Sequence, residues 1–129
     1  MRRRSTSATV SRVARTVLIV DDHHAFRSAA RALLEASGYD VVGEAFDGAS
    51  AVEAVRALRP EIVLLDVQLP DLDGFAVAER LARDGPSPAI VLTSSRSIAS
   101  VRWRLDANPA WSFIAKSDLS GEALAAAVG

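Results

Sequence analysis

Five short strand-like runs, each followed by an amphipathic stretch, constrain what this chain can fold into more than any other feature. The runs are residues 16–20 (TVLIV), 39–46 (YDVVGEAF), 62–65 (IVLL), 89–93 (AIVLT) and 111–115 (WSFIA). The first, third and fourth are apolar and rich in β-branched residues and read as strands buried on both faces, the pattern of a parallel sheet, and the second and fifth read as further strands. After each run, apolar residues recur at helical spacing. Phe26, Ala30, Leu33 and Leu34 make the first stripe, with Gly38 placed to cap it. Ala51, Val55 and Leu58 make the second, ended by Pro60, and Phe75, Ala78, Leu81 and Ala82 the third, stopped by Gly85 and Pro86. Ile98, Val101 and Leu105 suggest a fourth helix ended by Asn108 and Pro109, and Leu124 and Val128 a last one capped by Ser120. Alternating strands and helices require right-handed crossovers and a sheet covered on both sides. The fold class is α/β, with no internal repeat and no second domain.

In a parallel sheet all the carboxyl ends lie along one edge, where open α/β sheets bind their ligands. Asp21 and Asp22 follow the first run, Asp66 the third, Thr93 closes the fourth and Lys116 follows the fifth. Residues far apart in sequence therefore converge on one site. Lys and Arg together number 15, yet Lys116 is the only lysine, and it falls at a strand end. The stretch 61–75 (EIVLLDVQLPDLDGF) is the densest part of this pattern: after Asp66, the residues Pro70, Asp71, Asp73 and Gly74 make a turn-rich loop before Phe75 opens a helix. Taken alone, Asp66 reads equally well as a solvated loop acid or a helix cap. Its convergence with three other strand ends favours a site.

Clustered carboxylates repel one another unless a cation lies among them, and oxygen-only ligands favour Mg²⁺. Lys116 offers a positive charge to a phosphoryl oxygen and Thr93 a hydroxyl donor. A carboxylate such as Asp66 can itself be the nucleophile, forming an aspartyl phosphate. Phosphoryl transfer asks a protein mainly for positioning and charge neutralisation, and these residues supply little beyond that.

With a net charge of −1 the chain presents no overall field for nucleic acid or membrane. The absence of cysteine excludes disulfides and thiolate metal sites. No apolar run approaches the roughly 20 residues that span a bilayer, and the N-terminus lacks the apolar core of a secretory signal, so a cytoplasmic location is expected. Residues 1–15 (MRRRSTSATVSRVAR) read as a mobile basic tail ahead of a domain over 16–129.

The acid pair Asp21-Asp22, the motif Asp66-Val-Gln-Leu-Pro-Asp-Leu-Asp-Gly74, Thr93-Ser94, Phe113 and Lys116 together resemble the receiver domain of two-component response regulators. The resemblance runs from about Thr16 to the C-terminus. The Asp-Asp-His-His start and Ser117-Asp118 after the lysine look most like the branch that carries a C-terminal helix-turn-helix of the LuxR/NarL type. It implies a flavodoxin-like (βα)5 fold, doubly wound, with a five-stranded parallel sheet in the order 2-1-3-4-5. It implies that Asp66 accepts a phosphoryl group from a sensor histidine kinase. Asp22 and Asp66 would ligate Mg²⁺ directly, with the Gln68 backbone carbonyl as a further ligand and Asp21 acting through a metal-bound water. Thr93 and Lys116 would bind phosphoryl oxygens. Thr93 and Phe113 would form the switch, although Phe113 reads equally as an ordinary core residue. His23 and His24 are candidates for metal ligands or phosphoacceptors, but with Asp66 already in the acceptor role they are expected simply to open the first helix. A homodimer or downstream protein would dock on the face made by the fourth helix, fifth strand and fifth helix.

Three departures accompany the resemblance. Residues 96–110 carry Trp103 and Asn108-Pro109, so the fourth helix is expected to be short or irregular. The last helix is brief, and no DNA-binding domain follows, which fits a stand-alone regulator or a piece of a longer one. The leading expectation is a phosphorylation switch rather than a turnover enzyme. A pseudo-receiver that binds partners without phosphorylation is disfavoured because no member of the acid, hydroxyl and lysine set is missing. A Mg²⁺-dependent phosphohydrolase would want an acid two residues after the nucleophile, where Gln68 stands.

Overall fold

The structure, a computed structural model, describes residues 15–96, 99 and 101–128. The residues 1–14 of the expected tail and Ile98 of the expected fourth helical stripe lie outside the described residues. In chain order the elements are β1 (Thr16–Val20), α1 (His24–Ala36), β2 (Asp40–Ala45), α2 (Gly48–Leu58), β3 (Ile62–Asp66), α3 (Gly74–Arg83), β4 (Ala89–Ser94), α4 (Arg102–Asp106), β5 (Ser112–Ala115) and α5 (Gly121–Val128), with a 3₁₀ turn at Lys116–Asp118. The strands form one sheet in the order β2-β1-β3-β4-β5, and every pairing is parallel. This is the flavodoxin-like order.

Each strand sends alternate residues to opposite faces, which divides the core in two. Leu18, Val20, Val63, Leu65 and Leu92 face α2 and α3, where Ala51, Val52, Phe75, Ala78 and Leu81 meet them. Val17, Ile19, Ile62, Leu64, Val91 and Ile114 face the other way, against Ala30 and Leu34 of α1 and Leu124 of α5. Burying a side chain such as Phe75, 1 % exposed, is worth about 1.5–3 kcal/mol by transfer, so these two layers carry most of the stability.

Helix ends follow the local chemistry. Asp47 caps α2 through a reciprocal pair with Ser50, Asp73 accepts from Ala76 N–H to start α3, and Ser120 Oγ accepts from Ala123 N–H to start α5. Gly38, at φ +95°, takes the left-handed position just past α1. Among the described residues α4 is only five residues long, as the unusual composition of 96–110 suggests.

Arg27 and Arg31 of α1 both reach Glu44 on β2, at 3.0 and 2.7 Å. The Arg31 hydrogen bond outweighs partial burial and holds the Glu44 carboxyl below its ordinary value. A depressed carboxylate contributes stability above its unfolded pKa and loses it as pH falls through the folded one. Glu44→Gln should therefore cost up to about 1 kcal/mol at neutral pH. The deficit should start to close as pH falls into the ordinary glutamate range, about 4.3, and go on closing below it. Urea midpoints of the two proteins across that range test it, and a pH-independent difference would show that packing rather than charge is lost.

Candidate functional site

The carboxyl edge of the sheet brings together the residues that the strand ends announce. Asp21 follows β1 directly, Asp66 is the last residue of β3, Thr93 pairs with Asp66 in the β3–β4 register, and Lys116 follows β5. Lys116 Nζ lies 3.1 Å from Asp66 Oδ2 and 2.5 Å from Asp21 Oδ2. The contact with Asp66 is a hydrogen bond; that with Asp21 is an ion pair without hydrogen-bond alignment. The lysine also stands 4.6 Å from the centre of the Phe26 ring, where cation–π attraction adds to its fixation.

Both acids are removed from water, Asp21 at 0 % and Asp66 at 3 % exposure, yet their electrostatics differ. Burial pushes the Asp66 carboxyl up, and the neighbouring Asp21 charge adds to this, against the pull of the Gln68 N–H and Lys116. Burial would raise Asp21 too, but Lys116, the His23 N–H and the His23 ring together hold it below its ordinary value. Burial works against the Lys116 ammonium, and the two acids outweigh it and raise its pKa. One lysine thus compensates two buried carboxylates, which leaves a negative excess.

Thr93 is 1 % exposed and its hydroxyl has no hydrogen-bond partner among the described residues. A buried donor left unpaired costs about 1–3 kcal/mol, so its position next to Asp66 calls for an acceptor oxygen. Asp22 is more exposed, with its Oδ1 3.1 Å from His23 Nδ1. Ligand atoms of Asp21, Asp22, His23 and Asp66 all lie within 4.8 Å of one another. Three carboxylates with one balancing lysine make a donor set suited to a hard divalent cation, so the residues present fit Mg²⁺.

The loop after Asp66 is tied down by backbone contacts. Gln68 N–H donates to Asp66 Oδ1 at 3.1 Å, and Gln68 bridges to Asp73. Gly74 N–H donates to the Val67 carbonyl at 2.7 Å. A Cβ on Gly74 would stand 2.3 Å from the Asp66 carbonyl oxygen and 2.9 Å from Val67 Cα. Asp71 reaches across to the start of α2, accepting from Gly48 N–H at 2.7 Å and Ala49 N–H at 3.1 Å. Those amides hold its carboxyl below the ordinary value, the Gly48 contact foremost.

His24 opens α1, as expected, but His23 does more than precede a helix. It occupies the N-cap position of α1 without making a side-chain cap, and turns its ring onto Asp21 and Asp22. Direct succession to two strand-end acids was the available signal. Phe113 is half-buried and pairs with Leu92, while Thr93 pairs with Ile114, so the expected switch residues are offset by one position in the sheet. Sequence reading also missed Arg104 of α4, whose guanidinium stacks 4.1 Å from the Phe75 ring centre and lies 3.3 Å from Asp73 Oδ2.

A family model for the response regulator receiver domain matches residues 17–128. Among curated relatives, a protein-glutamate methylesterase/protein-glutamine glutaminase of Alkalilimnicola ehrlichii is 37 % identical over 110 residues, covering 81 % of this chain and 28 % of that protein. The transcriptional regulatory protein PdtaR of Mycobacterium tuberculosis is 39 % identical over 82 residues, covering 64 % of this chain and 40 % of its own length. The chain spans about a quarter of the length of the methylesterase relatives it matches. Among solved structures, the signal receiver domain of a NarL response regulator from Mycobacterium tuberculosis superposes with a TM-score of 0.77 at 29 % identity, over 90 % of this chain and 98 % of that one. The response regulator domain of Thermotoga maritima CheB gives 0.71 at 26 % identity, over 80 % and 78 %.

Proposed function

The chain belongs to the response regulator receiver domain family, and from that premise we propose that Asp66 is the residue on which it accepts a phosphoryl group. The observation that carries this reading is the meeting of Asp66 Oδ2 with the chain's only lysine, 3.1 Å away, beside the buried and unpartnered Thr93 hydroxyl. An Asp66 carboxylate oxygen attacks the phosphorus of a phosphohistidine on a sensor histidine kinase. The O–P bond forms as the P–N bond breaks, and the imidazole nitrogen leaves with the electron pair. Burial makes Asp66 more basic than a solvated carboxylate, which favours attack. Lys116 and Thr93 then hold phosphoryl oxygens by a charge-assisted and a neutral hydrogen bond.

Asp22, Asp66 and the Gln68 carbonyl would hold Mg²⁺, with Asp21 acting through a bound water. When bound, the ion supplies positive charge that shields the acids and the incoming phosphoryl oxygens from one another. Phosphorylation adds about −1.5 to −2 charge next to Thr93. Thr93 turning toward that charge vacates volume, and rotation of Phe113 on the adjacent strand would fill it and alter the face of α4, β5 and α5. A second copy or a downstream protein reads that face. The protein acts as a cytoplasmic switch that hydrolyses its own phosphoryl group slowly, not as a turnover enzyme. No helix among the described residues is long and apolar enough to cross a membrane.

Asp66→Asn keeps the shape and removes the anionic nucleophile. Incubation with Mg²⁺ and acetyl phosphate should add one phosphoryl mass to the wild type and none to the variant. Label retained in the variant and mapped to His23 or His24 would sink the assignment of the acceptor.

A further inference from the structure

His23 makes no helix cap with its ring and turns it onto the strand-end acids instead. Its backbone is pinned at both ends: its N–H donates to Asp21 Oδ1 at 2.9 Å, and its carbonyl accepts from Arg27 N–H at 3.1 Å. The ring cannot drift away with the chain, yet it caps nothing. Nδ1 stands 3.0 Å from Asp21 Oδ1 and 3.1 Å from Asp22 Oδ1, so a nitrogen donor is held among the acids.

We infer that His23 Nδ1 is a metal ligand, and that it adapts the cluster of Asp22 and Asp66 to borderline-soft first-row cations of the Zn²⁺ type as well as to Mg²⁺. This rests on the proposed acid site and adds a nitrogen to it. Zn–N and Zn–O bonds run about 2.0–2.2 Å, so two donors on opposite sides of one ion are about 4 Å apart. The donors of Asp22, His23 and Asp66 already fall within 4.8 Å of one another, and shifts of tenths of an ångström bring them into one coordination shell. Mg²⁺ keeps oxygen ligands and gains nothing from an imidazole, whereas Zn²⁺ takes imidazole and carboxylate together. Thr93 supplies an independent sign that this pocket is built around a ligand, because its buried hydroxyl has no partner among the described residues. His24, exposed and outside the cluster, serves as an internal control. The site then accepts two kinds of ion, and Zn²⁺ competes with Mg²⁺ for the same acids.

The test is calorimetric titration of the full chain with Zn²⁺ alone and with Mg²⁺ alone, in the wild type, His23→Ala, His23→Gln and His24→Ala. Losing a nitrogen ligand should weaken Zn²⁺ binding at least about 10-fold in both His23 variants and change Mg²⁺ binding less than about 2-fold. His24→Ala should match the wild type. In nitrogen-15 spectra of the imidazoles, Zn²⁺ should move the His23 Nδ1 resonance and leave that of His24 in place. Unchanged Zn²⁺ affinity in the His23 variants overturns the inference. So does a parallel loss of Mg²⁺ affinity, which would mean that the ring only positions the acids, and so does an equal loss in His24→Ala. If Mg²⁺ binding survives in those cases, the proposed acid site stands without its nitrogen; if neither ion binds the wild type, that reading falls first and the inference with it.

Discussion

Gly74→Ala should unfold much of the site while adding a single methyl group. The new Cβ would meet the Asp66 carbonyl oxygen at 2.3 Å, Val67 Cα at 2.9 Å and the Asp66 carbonyl carbon at 3.0 Å. All three are backbone atoms of the strand end that carries the proposed acceptor, so no side chain can swing aside. Relief requires α3 to back away, which stretches the 2.7 Å bond from Gly74 N–H to the Val67 carbonyl and loosens Phe75 in the core. Overpacking of this kind costs about 1–3 kcal/mol, and more where backbone must move; the upper end is expected here. Urea midpoints measure the loss, and phosphorylation by acetyl phosphate should fall with it. A shift below about 1 kcal/mol with normal phosphorylation would mean that α3 slides without strain.

Lys116→Met should be the second large effect, and its size should depend on Mg²⁺. The substitution keeps much of the volume of a side chain that is 14 % exposed and removes the cation that bridges Asp21 and Asp66. Removing one partner of a buried ion pair costs about 3–5 kcal/mol, because the charges left behind are uncompensated. In chelator the variant should show that loss. A divalent ion binding only the folded state adds stability by mass action, and it should bind the variant more tightly because it now supplies the missing positive charge. The gap between variant and wild type should therefore narrow as Mg²⁺ is titrated in. Thermal melts with chelator and with millimolar Mg²⁺ read this directly. The same deficit under both conditions would locate the role of Lys116 in packing, not in charge.

Every strand and the residue at its end could be read from the sequence because both depend on local pattern. A run such as TVLIV is short, β-branched and apolar throughout, and its structural bounds agree with the run itself. Parallel pairing then does the rest, since it places Asp21, Asp66, Thr93 and Lys116 on one edge whatever the loops do. Helix ends with a local chemical signature, Ser120 and Gly38, were legible for the same reason. Three contacts were not. Asp71 looks like one more turn residue until α2 is seen to begin beside it. Arg104 reads as a solvent-facing residue of a short helix until Phe75 is found under its guanidinium. His23 is a candidate ligand in the sequence, but the opening of a helix is the stronger reading until its ring is seen on the acids. Each depends on a partner brought near by tertiary packing, and no spacing along the chain announces such a partner. Phe113 lies between these cases: its strand was legible, but its half-exposure and its offset from Thr93 were not.

The loop between Asp66 and α3 is fastened at two points, once to a helix and once to the strand it leaves. Asp71 fixes it to the start of α2 through Gly48 and Ala49, and Gly74 seats it against the strand it has just left. Two fastenings along one short segment set a separation that the chain between them must span with no slack. What this segment specifies is therefore a residue count more than a composition. Leu72, 43 % exposed, can change its side chain and leave both fastenings in place, whereas one residue added or removed between Asp66 and Asp71 would put every later atom out of step with α2. The segment works as a ruler, and its length is the quantity that the rest of the fold reads.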